Sequence, residues 1–539
     1  MTTPLTAPSR TGRAGLLGLA VMLAVPLLVA LAWWALGRPA DLPPPPLGPD
    51  EKIACLSYAP YEGGQSPFQP GLVIAPDQID RQFEALALST GCLRTYSVGQ
   101  GLDAAPALAR KHGLKLLMGI WLGRNRADNA AEIKRAIELG KEYPDVIRAI
   151  VVGNEVLLRR DLPVEELAAA IAEVRANAGV PVTYADVWEF WERNVPLADG
   201  IDFVTVHILP YWEDDPVGVD HAKAHVAEIR RHVGTLFPGR EILIGETGWP
   251  SAGRMREDAL PSPSNQARYV SDIIALSKEN GWDYNLIEAK DQPWKRALEG
   301  TVGGHWGLFD DALGLKFAWG EPLLDRPFWL WQGLLGVLAA TGMLVVGRSA
   351  LSTEPLRLGL VAVVAGVALP WWLVEMPLVS LDGWDWAFAY ATLGLTLVLM
   401  VAAPLALARD VRWPRLAVVL GGDRAAGGGS LTAVLGWMLL ATVLLLSAGL
   451  VAMLVDSRYR DFPIAAFAVP VAAFLAVPAG VALTRPERVL APLIALVAIG
   501  VAFHEGVQNW QALAFAAEGV LFALALRPWR GVRATAARA

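Results

Sequence analysis

Ile147–Glu155, IRAIVVGNE, and Glu241–Pro250, EILIGETGWP, decide how this chain is read. Each is a short run of aliphatic and β-branched residues, the composition of a strand buried on both faces. Each also carries a glutamate where the run stops, Glu155 in the first and Glu246 in the second. One such glutamate is more often a cap or a salt-bridge partner than a catalyst. Two, at the ends of two buried strands, ask whether the rest of the chain brings them to a common rim.

Outward from these two, similar runs recur at Ile53–Tyr61, Cys92–Val98, Lys115–Gly123, Pro181–Trp188, Ile201–Trp212 and Asp283–Trp294. Amphipathic stretches such as Pro76–Ser89 and Ala131–Tyr143 lie between them, with apolar residues at helical spacing. Eight strands alternating with helices over roughly 250 residues is the arithmetic of a (β/α)8 TIM barrel. A doubly wound sheet is the rival, but no glycine-rich phosphate turn follows the first strand. The expected fold is therefore α/β, a barrel over residues 53–320, with a separate α-helical multi-span membrane region.

That second region follows from composition. The 539 residues are 54% hydrophobic and 18% charged, too apolar for an ordinary soluble protein and too charged for a purely membrane one. Every lysine lies at or before Lys316. A net charge of −7, a pI near 5.6 and the lack of a basic stripe exclude nucleic acid as a partner class. Two cysteines, Cys55 and Cys92, are too few for a disulfide scaffold or a structural zinc site. They either face each other on neighbouring strands or stay as buried thiols.

After a short N-terminal segment (1–14), residues 15–36 form an uncharged run of 22 residues. A signal-peptide core is ~7–15 residues and a spanning helix ~20. An uncleaved anchor is favoured, with cleavage near its Ala-rich end as the alternative. The proline-rich stretch 37–52 reads as a stiff spacer. From Phe328 seven further spans are expected: Phe328–Val346, Leu358–Val374, Trp386–Ala408, Leu431–Val455, Phe462–Leu483, Val489–Phe503 and Trp510–Leu526, with a tail at 527–539 and a flexible linker at Gly421–Ser430. With the N-terminus inside, fourteen arginines, from Arg10 to Arg538, fall in inner loops and tails, and only Arg458 and Arg460 in short outer ones. That asymmetry predicts both termini inside and the barrel outside. The lipid bilayer is thus an expected partner, with the barrel on the side opposite the arginine-rich loops.

In a (β/α)8 enzyme the reacting groups sit where strands end, and Glu155 and Glu246 end strands 4 and 7. Two carboxyl groups about 5–5.5 Å apart split a glycosidic bond with retention, one attacking the anomeric carbon and the other serving as acid and then base. Asn154 is positioned to hydrogen-bond a sugar 2-hydroxyl, and Arg94, at the end of strand 2, to keep Glu246 ionised. This chemistry needs no metal and no cofactor.

Val151–Glu155 (VVGNE) and Ile244–Ser251 (IGETGWPS) resemble the acid/base and nucleophile signatures of glycoside hydrolase family 17, the β-1,3-glucanase family of clan A. Leu93–Tyr96 (LRTY) is similar to that family's strand-2 motif, and Gly303–Phe309 (GGHWGLF) to the end of its bacterial barrels. The resemblance covers about 53–311 and none of the membrane part. It implies Glu155 as acid/base, Glu246 as nucleophile and a β-glucan substrate. Ile208–Trp212 (ILPYW) departs from the Tyr-Pro-Tyr run of plant members, which leaves the role of Tyr211 open and implies a differently shaped acceptor side. The whole architecture also resembles proteobacterial membrane proteins of β-glucan assembly, some described as β-(1,6)-glucan synthases, which implies a bacterial inner membrane with the catalytic domain on its periplasmic side.

Further substrate-binding candidates sit at the strand ends: Tyr58, Tyr96, Trp121, Asp186, His207, Tyr211, Trp249, Glu288, Lys290, Trp294 and Trp306. Sugar C–H faces stack on aromatic planes, although barrel tops also use aromatics to pack loops. Trp249 and Trp294 are the favoured pair. His207 has a core histidine as its competing reading, and the charged residues near strand 8, surface salt bridges. His221, His225 and His232 share a helix face but lack the Glu of a His-Glu-x-x-His site, so a solvated face is expected. Glu518, inside the last span, is a functional or a protonated structural carboxyl. The expected function is glycosidase or transglycosylase action on β-1,3-glucan, remodelling or branching it, with a glucan synthase as a possible partner. The alternatives are a synthesis or export accessory and a non-catalytic glucan-binding protein. Processive synthases need cytoplasmic acidic motifs and a Gln-x-x-Arg-Trp run that this sequence lacks.

Overall fold

The computed structural model describes residues 10–421, 429–480 and 484–527. Arg424, Arg530, Arg533 and Arg538, most of the 421–430 linker and nearly all of the 527–539 tail lie outside them, as do residues 1–9. The chain forms two compact units: Pro39–Leu323, and Met1–Arg38 together with Leu324–Ala539.

After helix α1 (Arg10–Leu36) come the strands β1 (Leu56–Ser57), β2 (Cys92–Arg94), β3 (Lys115–Ile120), β4 (Ile147–Asn154), β5 (Val182–Val187), β6 (Val204–His207), β7 (Ile242–Thr247) and β8 (Asp283–Leu286). All are parallel, and they close in sequence order into one barrel. The helices α2 (Pro76–Leu86), α3 (Ala105–Lys111), α4 (Arg126–Glu142), α5 (Val164–Asn177), α6 (Trp188–Arg193), α7 (Val219–Leu236), α8 (Pro263–Asn280) and α9 (Arg296–Gly303) follow the strands. Their boundaries have local causes. In α2, Pro76 opens the first turn and Ile79, Phe83 and Leu86 bury one face. In α8, the Ser262 side chain accepts from the Asn265 N–H, and Gly281 closes the helix with φ +66°.

The inside of the barrel is layered. Cys55, Cys92, Leu117, Ala149, Val151, Ala185, Phe203 and Leu243 fill its apolar floor. Cys55 and Cys92 are joined there as a disulfide between β1 and β2. Above them the inner positions turn polar: Ser57, Arg94, Thr205, His207 and Asn285, all buried. This is the period-2 consequence of strands whose inner side is apolar at one end and polar at the other. The proline-rich stretch is no free spacer. Ala40 and Leu323 exchange backbone hydrogen bonds of 2.8 and 2.9 Å, and Lys278 donates to the Pro46 carbonyl at 3.1 Å, so this stretch lies along the barrel.

The other unit contains α1 with α10 (Trp329–Val346), α11 (Pro355–Val379), α12 (Gly383–Ala408), the short α13 (Leu416–Leu420), α14 (Ser430–Val455), α15 (Ile464–Ala476), α16 (Arg485–His504) and α17 (Trp510–Leu526). Among the described residues, six helices are long and apolar enough to cross a membrane, α15 and α17 being shorter. Among its described residues, the expected span Phe462–Leu483 is helical over Ile464–Ala476. Val477 precedes Pro478 and takes an extended conformation, as a residue before proline prefers. Trp413 satisfies the freed carbonyls, its N–H donating to Pro478 and its indole Nε1 to Val477. Helix α1 is seated in a glycine-lined groove of α10 and α11, with Val21, Val25, Val29 and Trp33 buried along one face. A Cβ on Gly336 would lie 2.1 Å from the Gly366 carbonyl, and the Trp33 indole donates to that carbonyl at 3.0 Å.

Candidate active site

Glu155 follows β4 in a left-handed conformation, φ +52°, two residues after Gly153 at φ +87°. Its N–H still bonds to the Ala185 carbonyl at 2.8 Å, so the irregular turn is tied to β5 while the side chain emerges at the rim. Glu246 sits in β7 beside His207 of β6, where the register slips. One carboxylate oxygen of Glu155, a ring nitrogen of His207 and one oxygen of Glu246 lie within 4.8 Å of one another. The two glutamates share one rim and differ in exposure: the Glu155 side chain is 22% open, that of Glu246 6%.

Arg94 organises the floor of this site. Fully buried, it donates to Glu246 Oε1 at 3.0 Å, to the Gly245 carbonyl at 2.7 Å and to Asn154 Oδ1 at 2.6 Å. The Tyr96 hydroxyl donates to the same Glu246 oxygen at 2.8 Å and pairs with Ser57 Oγ. Burial and the Glu246 charge push the Tyr96 phenol well above its usual range, so it stays a neutral donor. Asn285 braces the layer through Ser57 Oγ and the Gly245 carbonyl. A buried carboxylate with two strong donors on one oxygen is held in one orientation.

Glu155 is balanced differently. Burial raises its carboxyl, but the hydrogen bond from His207 Nδ1 and the charges of His207, Arg159 and Arg94 outweigh it and hold the group below its ordinary value. Arg159 lies over the Trp121 ring at 4.1 Å and donates to the Leu122 carbonyl and to the Asn154 carbonyl. Behind Glu246, Glu288 is 1% exposed and receives Lys295 Nζ at 2.9 Å, while its Oε1 has no partner. Burial, only partly offset by Lys295, pushes Glu288 up to about 7.

The remaining candidates divide by burial. Trp121 is 44% exposed. Trp294 is half-buried, with Tyr61 and Phe68 edge-on at 5.7 and 5.8 Å. Trp249 is wholly buried, its indole bonded to the Leu260 carbonyl, so its ring belongs to the barrel wall. Tyr211 and Trp306 are buried in the same aromatic cluster, with Tyr211 donating to the Arg254 carbonyl. Tyr58 donates to Gln82 beneath the rim, and Lys290 is buried against Asp311. Asp186 is buried too, bonded by the Tyr184 hydroxyl and the Val187 N–H, and burial raises it to about 6. All six are buried. His225 and His232 pair with Glu213 and Glu192 along α7.

Sequence reasoning missed Ser57, Asn285, Arg159 and the 67%-exposed Phe68. The two-residue spacing of Cys55 and Ser57 was the available signal for the first. Glu155, His207 and Glu246 are, among the described residues, the group of three side chains able to converge on a cation. Arg94 already supplies positive charge there, and the His207 ring nitrogen nearest Glu155 serves as its hydrogen-bond partner, so the cluster is closed by its own charges.

The family described as BtgE/BtgC glycoside hydrolase domain matches residues 55–307. The glucan 1,3-beta-glucosidase BGL2 of Candida albicans is 27% identical over 252 residues, 42% of this chain and 80% of that protein. A glucan 1,3-beta-glucosidase of Schizosaccharomyces pombe is 28% identical over 232 residues, 40% of this chain and 71% of that one. The probable beta-glucosidase btgE of Aspergillus fumigatus is 28% identical over 225 residues, 40% of this chain and 39% of that protein. Among solved structures, an active-site mutant of Rhizomucor miehei beta-1,3-glucanosyltransferase in complex with laminaritriose aligns with a TM-score of 0.43 at 24% identity, over 49% of this chain and 95% of that one.

Proposed function

We propose that residues 55–307, which match the BtgE/BtgC glycoside hydrolase domain, form a glycoside hydrolase family 17-like, retaining enzyme of β-1,3-glucan, acting outside the membrane that holds the helical unit. The observation that carries the reading is the carboxylate pair within 4.8 Å at one rim, one member clamped by Arg94 and Tyr96 and the other open to solvent. Glu246, doubly hydrogen-bonded and nearly inaccessible, is the nucleophile: its oxygen bonds to C1 as the C1–O bond breaks. The electron pair leaves with the glycosidic oxygen, which takes the proton of Glu155. In the second half Glu155 removes the proton of an acceptor hydroxyl, whose oxygen attacks C1 and releases Glu246. Asn154, held by Arg94, faces the sugar 2-hydroxyl.

The acceptor decides between hydrolysis and transfer. Trp121, exposed next to the acid/base strand, offers a ring to an acceptor sugar, which favours transfer and thus glucan remodelling or branching. Placement of the barrel outside the cytoplasm rests on the arginine asymmetry and on the Cys55–Cys92 disulfide, which suits an oxidising compartment. Mass spectrometry of full-length protein in detergent with laminari-oligosaccharides tests the reading. Products longer than the donor are expected; only shorter ones would mean hydrolysis, and no change in any β-glucan would end the proposal.

A further inference from the structure

Two aromatic rings from the loops after β8 and β1 take no part in either half-reaction above. Phe68, after β1, is 67% exposed, and Trp294, after β8, is half-buried. Their rings meet edge-on at 5.8 Å, and Tyr61 meets Trp294 in the same way at 5.7 Å. A lone exposed phenylalanine needs no explanation. This one is held in place by its surroundings. The Gln100 amide donates to the Pro67 carbonyl at 3.0 Å, and Gln100 Oε1 accepts from the Tyr61 hydroxyl at 2.6 Å. Ser66 Oγ accepts from the Phe68 N–H at 3.2 Å. The Trp294 indole donates to Gln292 Oε1 at 2.8 Å, and the Gln292 amide reaches the Ala59 carbonyl at 3.0 Å. The two loops are thus tied together, and they present the rings with little freedom left to lose on binding.

Strand order gives these rings a side. β8 lies next to β7, which carries Glu246, and four strands from β4, which Glu155 follows. Lys295, the residue after Trp294, links the rings to the nucleophile. Its ammonium lies 5.8 Å from the Trp294 ring and 2.9 Å from Glu288 Oε2, and it is close enough to Glu246 to feel that charge. In a retaining reaction the leaving or incoming oxygen passes Glu155, while the sugar joined to Glu246 keeps the rest of its chain. That retained chain runs away from Glu155, toward the β8–β1 side of the rim.

We propose that Phe68 and Trp294 form a donor-side binding site, which takes a glucosyl unit of the β-glucan chain beyond the one that bonds to Glu246. The C–H face of that unit packs on the open Phe68 ring and on Trp294 beside it. Lys295, 16% exposed, has further N–H groups besides the one given to Glu288, and one of them serves a sugar hydroxyl. The direction of the chain rests on the retaining reading given above; the binding of glucan to the rings does not. A site of this kind makes the enzyme prefer long donors to short ones, through binding more than through turnover.

The test is Phe68→Ala in full-length protein in detergent, a change at an exposed side chain that the fold tolerates. Calorimetric titration with laminarihexaose is carried out on Glu246→Gln protein, so that the ligand is not consumed. Adding Phe68→Ala is expected to raise Kd about fivefold to tenfold, and Phe68→Tyr, which keeps a ring, to restore it. With Glu246 in place, Phe68→Ala is expected to shrink the kcat/KM advantage of laminarihexaose over laminaribiose as donor by a similar factor, in KM rather than kcat. An unaltered Kd overturns the proposal. So does a kcat/KM that falls by one common factor for both donors, or a loss confined to the KM of the acceptor. Wild-type protein inert toward every β-glucan would instead remove the retaining reading and not the binding site, which the titration decides alone.

Discussion

At the top of the barrel, Arg94, Glu246, Glu155 and His207 are bonded to one another. In the helical unit, Glu518 is equally buried but leaves its Oε2 without a hydrogen-bond partner, and Glu375 does the same. Both regions remove carboxyl groups from water, a costly act that a chain tolerates for different reasons. In the barrel the cost is offset by Arg94 of β2, Tyr96 just after it and His207 of β6, and the outcome is a reactive pair. In the bundle, cohesion comes from elsewhere: glycines at 333, 336, 359 and 366 admit α1 so closely that its valines and Trp33 replace polar contacts. Ionised groups carry the first region and small residues the second.

The strongest way to break that contrast is at Glu246. Glu246→Ala is expected to lower turnover by about four orders of magnitude or more, as loss of an essential nucleophile does, while the protein folds. Its measure is initial rate on laminari-oligosaccharides beside an unchanged circular dichroism spectrum. A loss of tenfold or less would mean that the paired charges are scaffolding, and the barrel would then resemble the bundle.

Next in size is the groove under α1. Gly336→Leu places a branched side chain where even a Cβ meets the Gly366 carbonyl at 2.1 Å. Overpacking of this kind costs about 1–3 kcal/mol. The expected result is a lower melting temperature in detergent and faster protease cutting near residues 37–40, with kcat in the barrel unaltered. An unchanged melting curve would show that α1 is a mere anchor or a removable leader.

The same contrast explains what could be read from sequence. All eight strands were legible because a strand covered on both faces leaves a continuous apolar run, and Ile147–Asn154 or Ile242–Thr247 leaves little else to infer. Their ends were not. Ile201–Trp212 reads as one run, yet only Val204–His207 is strand, since Leu209, Tyr211 and Trp212 are apolar for the sake of loop packing. Composition also cannot tell a ring in the wall from a ring in the cleft: Trp249 is 0% and Trp121 44% exposed. The Cys55–Cys92 pairing needed the relative register of β1 and β2, which no single sequence supplies. In the bundle, apolar runs located the helices, but Pro478 ended α15 seven residues before the hydrophobicity of Phe462–Leu483 does.

Asp186 gives a smaller effect with a defined sign. Its carboxyl is raised from 3.8 to about 6 by burial, so the folded barrel holds a proton that the unfolded chain releases between those values. Stability from this group is present below about pH 4 and is lost as pH rises through 6. Asp186→Asn carries no such proton. The variant is expected to match wild type in melting temperature at pH 4 and to exceed it by a few degrees at pH 7. Equal offsets at both pH values would contradict the burial argument.

The smallest expected effect is the most telling for the comparison. Glu518 lies mid-helix in α17, beside Gly519, which packs against Ala498 and Leu450. A carboxyl lacking a partner for one oxygen has no ionic contact to lose. Glu518→Gln keeps the shape and supplies an amide, and such replacements of buried acids are commonly neutral or stabilising. Turnover within twofold of wild type and a melting temperature equal or higher are the expected results, against the collapse expected at Glu246. A Glu518→Gln protein with normal barrel kinetics on soluble donors but impaired glucan handling in sealed vesicles would reverse the assignment. It would make the helical unit a second site of organised charge, with Glu518 at its centre.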